Sequence, residues 1–231
     1  MFKKISFLAA FILCILCLSS CMRKGKTGFE NKNYKAAVVV TSGNKDKSEM
    51  IFYDNKLKEI FRRNISFVNI ASSFDPPVNF NQKIYMIPRG VPFQNEREEV
   101  MEYDLKSHDI HTYEIGKPGL SAFDLTSKYI FTTNTLNGIS TLSRYDKSSG
   151  EIKRCNTKSF SLNFIHCYKD AVFVTANRDT KIGTSTYLLK FNGETLKIEW
   201  KKKIPFYGDP CFFYSDNKNL YLSSGGEEKT S

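Results

Sequence analysis

From Ala36 onward the hydrophobic positions alternate with polar ones over short runs, and the runs recur at long intervals. Strand-like stretches occur at Ala36-Ala37-Val38-Val39-Val40, Lys83-Ile84-Tyr85-Met86-Ile87, Lys128-Tyr129-Ile130-Phe131-Thr132, Ala171-Val172-Phe173-Val174-Thr175 and Asn219-Leu220-Tyr221-Leu222-Ser223. β-Branched and aromatic residues suit a pleated, half-buried surface, and the Ser, Asn, Asp and Gly between them accept tight-turn angles. From Tyr85 to Ile130, Ile130 to Phe173 and Phe173 to Tyr221 the spacings are 45, 43 and 48 residues. A second marker keeps the same phase: Tyr53-Asp54, Tyr103-Asp104, Tyr145-Asp146 and Phe191-Asn192, each followed by a polar turn and an aliphatic strand. The clearest unit runs from Lys128 to Cys155. It reads as one strand through Thr133, a second ending at Tyr145-Asp146, a turn at Ser148-Ser149-Gly150 and a third from Glu151 to Cys155.

A repeat of roughly 40 to 50 residues built from short strands is the period of propeller blades. One four-stranded sheet cannot bury both of its faces, whereas sheets stacked about an axis cover one another. No stretch sustains helical periodicity. The predicted fold class is therefore all-β: a β-propeller of four-stranded antiparallel blades over residues 36–231, about four blades plus one strand. An immunoglobulin-like sandwich is the competing architecture, but its turns come every ~8 to 12 residues without such long-range self-similarity. The run Gly225-Gly226-Glu227-Glu228 falls where the next hairpin is due, so an incomplete array is expected.

The units from Leu142 to Lys153 and from Tyr187 to Trp200 resemble the repeats of quinoprotein-like, YVTN-type bacterial propellers. Trp200, the single tryptophan, stands where those repeats place theirs. The second unit departs from that pattern with His108-Asp109 in place of a Gly turn, and the fourth places Gly193 early. Propellers host enzymes, scaffolds and receptors alike, so the resemblance implies a fold rather than an activity.

Residues 1–35 follow different rules. A basic start, Met1-Phe2-Lys3-Lys4, precedes an apolar run of 14 residues from Ile5 to Leu18. That is shorter than the ~20 residues a membrane-spanning helix needs, and it has the length of a signal-peptide core. Leu18-Ser19-Ser20-Cys21 resembles the bacterial lipobox, an aliphatic residue and two small ones before Cys. The resemblance implies a signal peptide at 1–20, cleavage between Ser20 and Cys21, and a diacylglyceryl anchor on the Cys21 thiol. Residues 21–35 then form a basic tether carrying Arg23, Lys24, Lys26, Lys32 and Lys35, each worth ~1 kcal/mol beside anionic headgroups. Cys14 and Cys17, inside the apolar run, are hydrophobic filler.

Charge narrows the partners. The chain carries a formal +10, and Phe, Tyr and Trp make up 14 per cent of it. The cations are scattered over turns and solvent faces, with no zinc finger, helix-turn-helix or ribonucleoprotein motif to gather them, so nucleic acid is not an expected partner. A basic surface beside an anionic membrane or wall fits better. Lys201-Lys202-Lys203 reads as a solvated strand end.

Candidate chemistry is sparse. Once Cys21 is acylated, Cys155, Cys167 and Cys211 remain, an odd and widely spaced set with no zinc spacing. One disulfide among them and buried thiols are both open. His166-Cys167 is the one adjacent nucleophile–base pair, but neighbours on a strand point to opposite faces and cannot serve each other. His108 and His111 sit in a polar stretch that reads as a solvated turn. Asn177-Arg178-Asp179 and Ser215-Asp216-Asn217 read as turns, because neither has the acidic alternation of a calcium loop. Asp75-Pro76-Pro77 is a rigid connector, and 90–99 a long polar loop of the kind that carries function. No His, Asp or Glu recurs at one position of several units, and no metal or cofactor is expected.

These observations favour a membrane-anchored, extracytoplasmic lipoprotein whose non-catalytic propeller binds a protein or cell-envelope ligand. The alternatives are an extracytoplasmic propeller enzyme, either a hydrolase or a quinoprotein-like dehydrogenase, and an envelope-assembly scaffold.

Overall fold

The computed structural model describes residues 34–42, 48–65, 67, 76–88, 98–181, 183–204 and 210–224. Their secondary structure is entirely strand and turn. The first sheet holds β1 (Ala36–Val40), β2 (Ser48–Tyr53) and β3 (Glu59–Ile65). The second holds β4 (Val78–Phe80), β5 (Lys83–Met86), β6 (Glu99–Asp104) and β7 (Ile110–Glu114). The third is β8 (Leu120–Leu125), β9 (Tyr129–Leu136), β10 (Ile139–Asp146) and β11 (Ile152–Thr157), and the fourth β12 (Ser161–Tyr168), β13 (Ala171–Thr180), β14 (Gly183–Asn192) and β15 (Ile198–Lys203). A hairpin of β16 (Pro210–Ser215) and β17 (Leu220–Ser224) follows. Each strand pairs antiparallel with its neighbours in chain order, so the fold is the all-β array of four-stranded propeller blades that the repeat predicts.

Two details of that expectation are corrected. The runs read as the first strands of their units, β5, β9, β13 and β17, are second strands, each preceded by a leading strand, β4, β8, β12 or β16. Leading strands such as Ser161-Leu162-Asn163-Phe164-Ile165-His166 mix polar and apolar residues and carry a bulge between Leu162 and Ile165, which hides their period. Register also places Tyr85, Phe131 and Phe173 at one structural position, opposite Glu102, Arg144 and Lys190. Ile130 is one residue out of that series, and one residue on a strand is a change of face.

The faces explain the core. Ile84 and Met86 of β5 turn toward the first sheet, packing with Met50, Phe52, Ile65, Met101 and Tyr103. Tyr85 and Ile87 turn the other way, joining Val100 and Tyr113 against Leu120, Phe123, Leu125 and Ile130 of the third sheet. Phe131 and Leu142 leave the far face of that third sheet to meet Leu162, Val172, Val174, Leu189 and Phe191 of the fourth. Each cluster thus lies between two sheets. A sheet in this chain is stable because its neighbours exclude water from both of its faces.

The second marker builds the outer turn. Asp146 Oδ1 accepts from Ser148 N at 2.9 Å, Ser148 Oγ at 2.6 Å and Ser149 N at 3.2 Å. Asp104 does the same for Lys106 N and Ser107 N, both at 2.8 Å, and Asn192 for Glu194 N at 3.1 Å and Thr195 N at 2.9 Å. The turn closes on a left-handed residue, which is Gly150 (φ 74°) in the third sheet but Leu57 (58°), His108 (61°) and Leu196 (57°) elsewhere. A non-glycine residue there costs about 1 kcal/mol. Burial offsets that cost for Leu196, 3 % exposed, and for His108, 7 % exposed. The expectation that His108 is solvated is therefore corrected. Its Nδ1 lies 2.8 Å from Tyr103 Oη, its ring packs on Phe52 and Phe61, and burial lowers its basicity.

Two outcomes follow from these turns. Leu57 is 74 % exposed, so Leu57→Asn is expected to raise stability by about 0.5–1 kcal/mol, while Leu196→Gly loses ~2 kcal/mol or more of buried contact, both read by urea unfolding. Hydrogen bonds from Ser148 and Ser149 hold the Asp146 carboxyl down to about 2. Its folded value is depressed, so its stabilisation is full above the unfolded carboxylate range near ~4 and is lost as pH falls through about 2. Asp146→Asn should flatten that acid limb when unfolding is followed by Trp200 fluorescence.

Candidate functional site

Between the third and fourth sheets the β8–β9 turn, the β12–β13 turn and the β14–β15 turn converge on a cleft of about 360 Å³. Thr126 opens the first turn, its N–H donating to the Tyr129 carbonyl at 2.9 Å and its Oγ1 accepting from Tyr129 N at 3.0 Å. That turn sets Ser127 and Lys128 at the mouth and drops Tyr129 and Phe131 into the floor. Lys169 and Asp170 supply the second wall and Gly193 with Glu194 the third. A side chain at Gly193 would bring its Cβ to 3.0 Å from the Asp170 carbonyl oxygen, so a residue without one lets the two turns meet.

The floor is held by charge. Arg144, on β10, is 2 % exposed and faces the fourth sheet. Its guanidinium carbon lies 4.4 Å from the centre of the Tyr129 ring, its Nη1 is 3.2 Å from Glu194 Oε2, and it also donates to the Glu194 carbonyl oxygen. The Tyr129 hydroxyl donates to both Glu194 oxygens at 2.9 and 2.8 Å, and Lys128 Nζ sits 4.6 Å from the same ring. The Tyr129 hydrogen bond, with Lys128 and Arg144 behind it, holds the Glu194 carboxyl below the usual carboxylate range. The cleft therefore has a rigid aromatic floor and a rim carrying both signs of charge. That combination orients a polar ligand through hydrogen bonds and covers it with an apolar surface, as ligand sites generally do.

A second polar cluster lies on the leading strands. Asp124 of β8 accepts from Leu125 N at 2.8 Å through Oδ1, and from Cys167 N at 2.7 Å through Oδ2. The same Oδ2 is 3.0 Å from His166 Nδ1, and His166 Nε2 is 2.8 Å from Ser215 Oγ. Asp124 and His166 hold one structural position, opposite Phe131 and Phe173 in their sheets. The equivalent positions of the second sheet and the last hairpin are Val78 and Tyr214, so no single acid or histidine recurs around the units, and the pairing is confined to these two sheets. Asp124 and His166 each stand seven residues before their sheet's Phe131 or Phe173, a spacing that would have paired them had the leading strands been recognised.

His166 and Cys167 do diverge, as alternation requires. Burial, and Asp124 after it, pushes the Cys167 thiol well above its ordinary value, and burial raises Cys155 as well, so both stay protonated and are free thiols. Asn177, Arg178 and Asp179, expected in a turn, are the last residues of the long strand β13. Asp216 does open a turn, its Oδ1 accepting from Lys218 N at 2.7 Å and Asn219 N at 2.6 Å. Lys201, Lys202 and Lys203 lie exposed on edge strand β15, and His111 is exposed beside Tyr113. Trp200, 40 % exposed, meets Phe173 edge to face with ring centres 6.1 Å apart. Ser20, Cys21, the side chain of Cys211 and residues 90–97 lie outside the described residues.

No family model and no curated protein matches the chain. Among solved structures it is similar to the WD40 domain of Neurospora crassa Pan2, at 11 % identity and a TM-score of 0.43 over 82 % of this chain and 60 % of that one. It is also similar to Kluyveromyces lactis Hsv2 with its complete loop 6CD, at 10 % identity and a TM-score of 0.30 over 73 % and 63 %. The chain thus spans less than two thirds of the length of either.

The cleft's floor makes an unequal pair of predictions. Glu194→Gln leaves the buried Arg144 guanidinium without its anion and is expected to lower the unfolding midpoint. Arg144→Met replaces the buried charge by an apolar chain of similar reach and leaves only Glu194, whose side chain is 64 % exposed, so a smaller loss is expected in the same urea titration.

Proposed function

We propose that the protein is a lipid-anchored binding module. It is exported on residues 1–20, cleaved between Ser20 and Cys21, and held by a diacylglyceryl group on Cys21 at the extracytoplasmic face of the cell membrane. Its propeller takes a protein or cell-envelope ligand in the cleft between the third and fourth sheets, without a covalent step there.

The observation that carries the binding half is the braced floor of that cleft, with Tyr129 fixed between Arg144 and Lys128 and tied to Glu194. Side chains locked before a ligand arrives lose little freedom when it binds, which is how a small site gains affinity. Both floor aromatics are buried, and the Glu194 carboxylate on the third wall is already occupied by Tyr129 and Arg144. The anchoring half rests on the sequence. Two acyl chains on Cys21 give a stable membrane hold, and the cations from Arg23 to Lys35 add attraction to anionic headgroups.

Cys21→Ser should release the protein from the membrane pellet and abolish incorporation of a labelled fatty acid, with wild-type chain as the control. A variant that stays in the pellet would refute the anchor. For the cleft, Ser127→Trp places an indole at the exposed mouth and is expected to weaken sedimentation with purified cell-wall polymer, or cross-linking to a protein partner through Lys128 and Lys169, by at least about tenfold. Unchanged binding would move the ligand elsewhere.

A further inference from the structure

The leading strands of three successive units place a carboxylate, an imidazole and a hydroxyl in one line. Asp124 comes from β8, His166 from β12 and Ser215 from β16, and β12 lies against both of the others. The contacts have a direction. A carboxylate can only accept, so Asp124 Oδ2 fixes the proton on His166 Nδ1 at 3.0 Å. In the neutral imidazole Nε2 then presents a lone pair, to which Ser215 Oγ–H donates across 2.8 Å. The two further donors to Asp124, Leu125 N and Cys167 N, hold the carboxylate at that angle. The Phe213 ring stacks nearly parallel on the imidazole, 15° apart with centres at 5.7 Å, and stops it from rotating away.

A hydrogen-bonded brace between three sheets needs only some donor and some acceptor at each step. This arrangement has more: a carboxylate on Nδ1, a hydroxyl on Nε2, and a serine that is only partly buried. Backbone alternation adds a fourth element. Asp216 N–H donates across the hairpin to the Asn219 carbonyl at 3.0 Å, and ladder bonds alternate along an antiparallel strand, so the N–H of Ser215 points away from β17, toward the edge of β16 that pairs with no other described strand.

We propose that Asp124, His166 and Ser215 form a nucleophilic triad, and that the protein carries a hydrolytic activity toward carboxylic esters of small acyl groups. Ser215 Oγ attacks the ester carbonyl carbon, its proton passes to His166 Nε2, and the carbonyl oxygen takes the negative charge within reach of the Ser215 N–H. The C–O bond to the leaving alkoxide breaks as His166 returns the proton to it, leaving an acyl-Ser215. Water then attacks in the same way, His166 taking its proton and giving it back to Ser215 Oγ as the acid departs. Ser215 and His166 are the catalytic residues and Asp124 is a positioning residue. The face of the imidazole opposite Phe213 is the side of approach. This activity is independent of the cleft above, since none of its residues lines that cleft.

The test is active-site labelling of the full chain with a fluorophosphonate, located by peptide mass, together with turnover of p-nitrophenyl acetate. A single phosphonyl group on Ser215 is expected, absent in Ser215→Ala and slowed on the order of a hundredfold or more in His166→Gln. In the wild type the labelling rate should rise with pH, and Asp124→Asn should displace or flatten that rise, which a merely bracing carboxylate would not do. If a His166 or Asp124 variant lowers the unfolding midpoint, Ser215→Ala, which removes only a hydroxyl, and the wild-type pH profile decide the matter. No label on wild-type Ser215, or a label indifferent to both His166→Gln and Asp124→Asn, would overturn the triad and leave the line of contacts as a brace.

Discussion

Everything in this molecule depends on sheets covering each other. A four-stranded sheet presents side chains on two faces, and the strands here are apolar on both: Met86 and Tyr85, adjacent on β5, are 0 % and 2 % exposed although they point in opposite directions. The sheet is therefore not a unit of stability. The unit is a pair of facing sheets, and the three apolar clusters are three such pairings. This is the nearest-neighbour energetics of a repeat array, in which each interface contributes separately and the array gains cooperativity from having several.

Covering both faces has a consequence for polar residues. The position just before each outer turn's aromatic faces the following sheet, and it is filled by Phe52, Glu102, Arg144 and Lys190 in turn. Where it is Phe52 the interface is plain hydrocarbon and aromatic. Where it is Glu102, Lys83 and the Tyr113 hydroxyl, the latter at 2.5 Å, must meet it. Burial pushes that carboxyl up, and the hydrogen bonds from Lys83, Tyr113 and Tyr85 more than compensate, holding it below the usual carboxylate range. Where it is Arg144, Glu194 comes across from the neighbouring sheet. At Glu102 the complement comes from its own sheet, whereas at Arg144 it crosses from the next, which ties those two sheets together specifically. The two polar groupings of interest, the cleft and the leading-strand triad, are both of this kind: neither exists within a single sheet.

The turns show how a local rule is obeyed with unlike residues. An Asp or Asn takes the amide groups of the next residues, and a left-handed residue closes the turn. Glycine meets that second requirement without strain, but His108 and Leu196 meet it because their side chains gain a buried site in return. The strain is local, and the compensation is tertiary.

The sequence by itself determined the apolar second strands, the outer turns and the long repeat, because alternation and turn chemistry act between residues a few positions apart, while the leading strands β4, β8, β12 and β16 stayed hidden. Tyr145-Asp146 and its three counterparts were legible for that reason, as was the divergence of His166 from Cys167. It also carries the whole case for Cys21, since export signals are read from an unfolded chain. The tertiary structure alone decided which face meets which sheet. Ile130 and Phe131 look interchangeable in a strand-like run, yet one packs backward and the other forward. It alone decided that Arg144 reaches Glu194, 50 positions away, and that Asp124 and Ser215 flank His166 from 42 and 49 positions off. Such contacts are made by register across an interface, and no spacing along one chain encodes the register until the neighbouring sheet is in place.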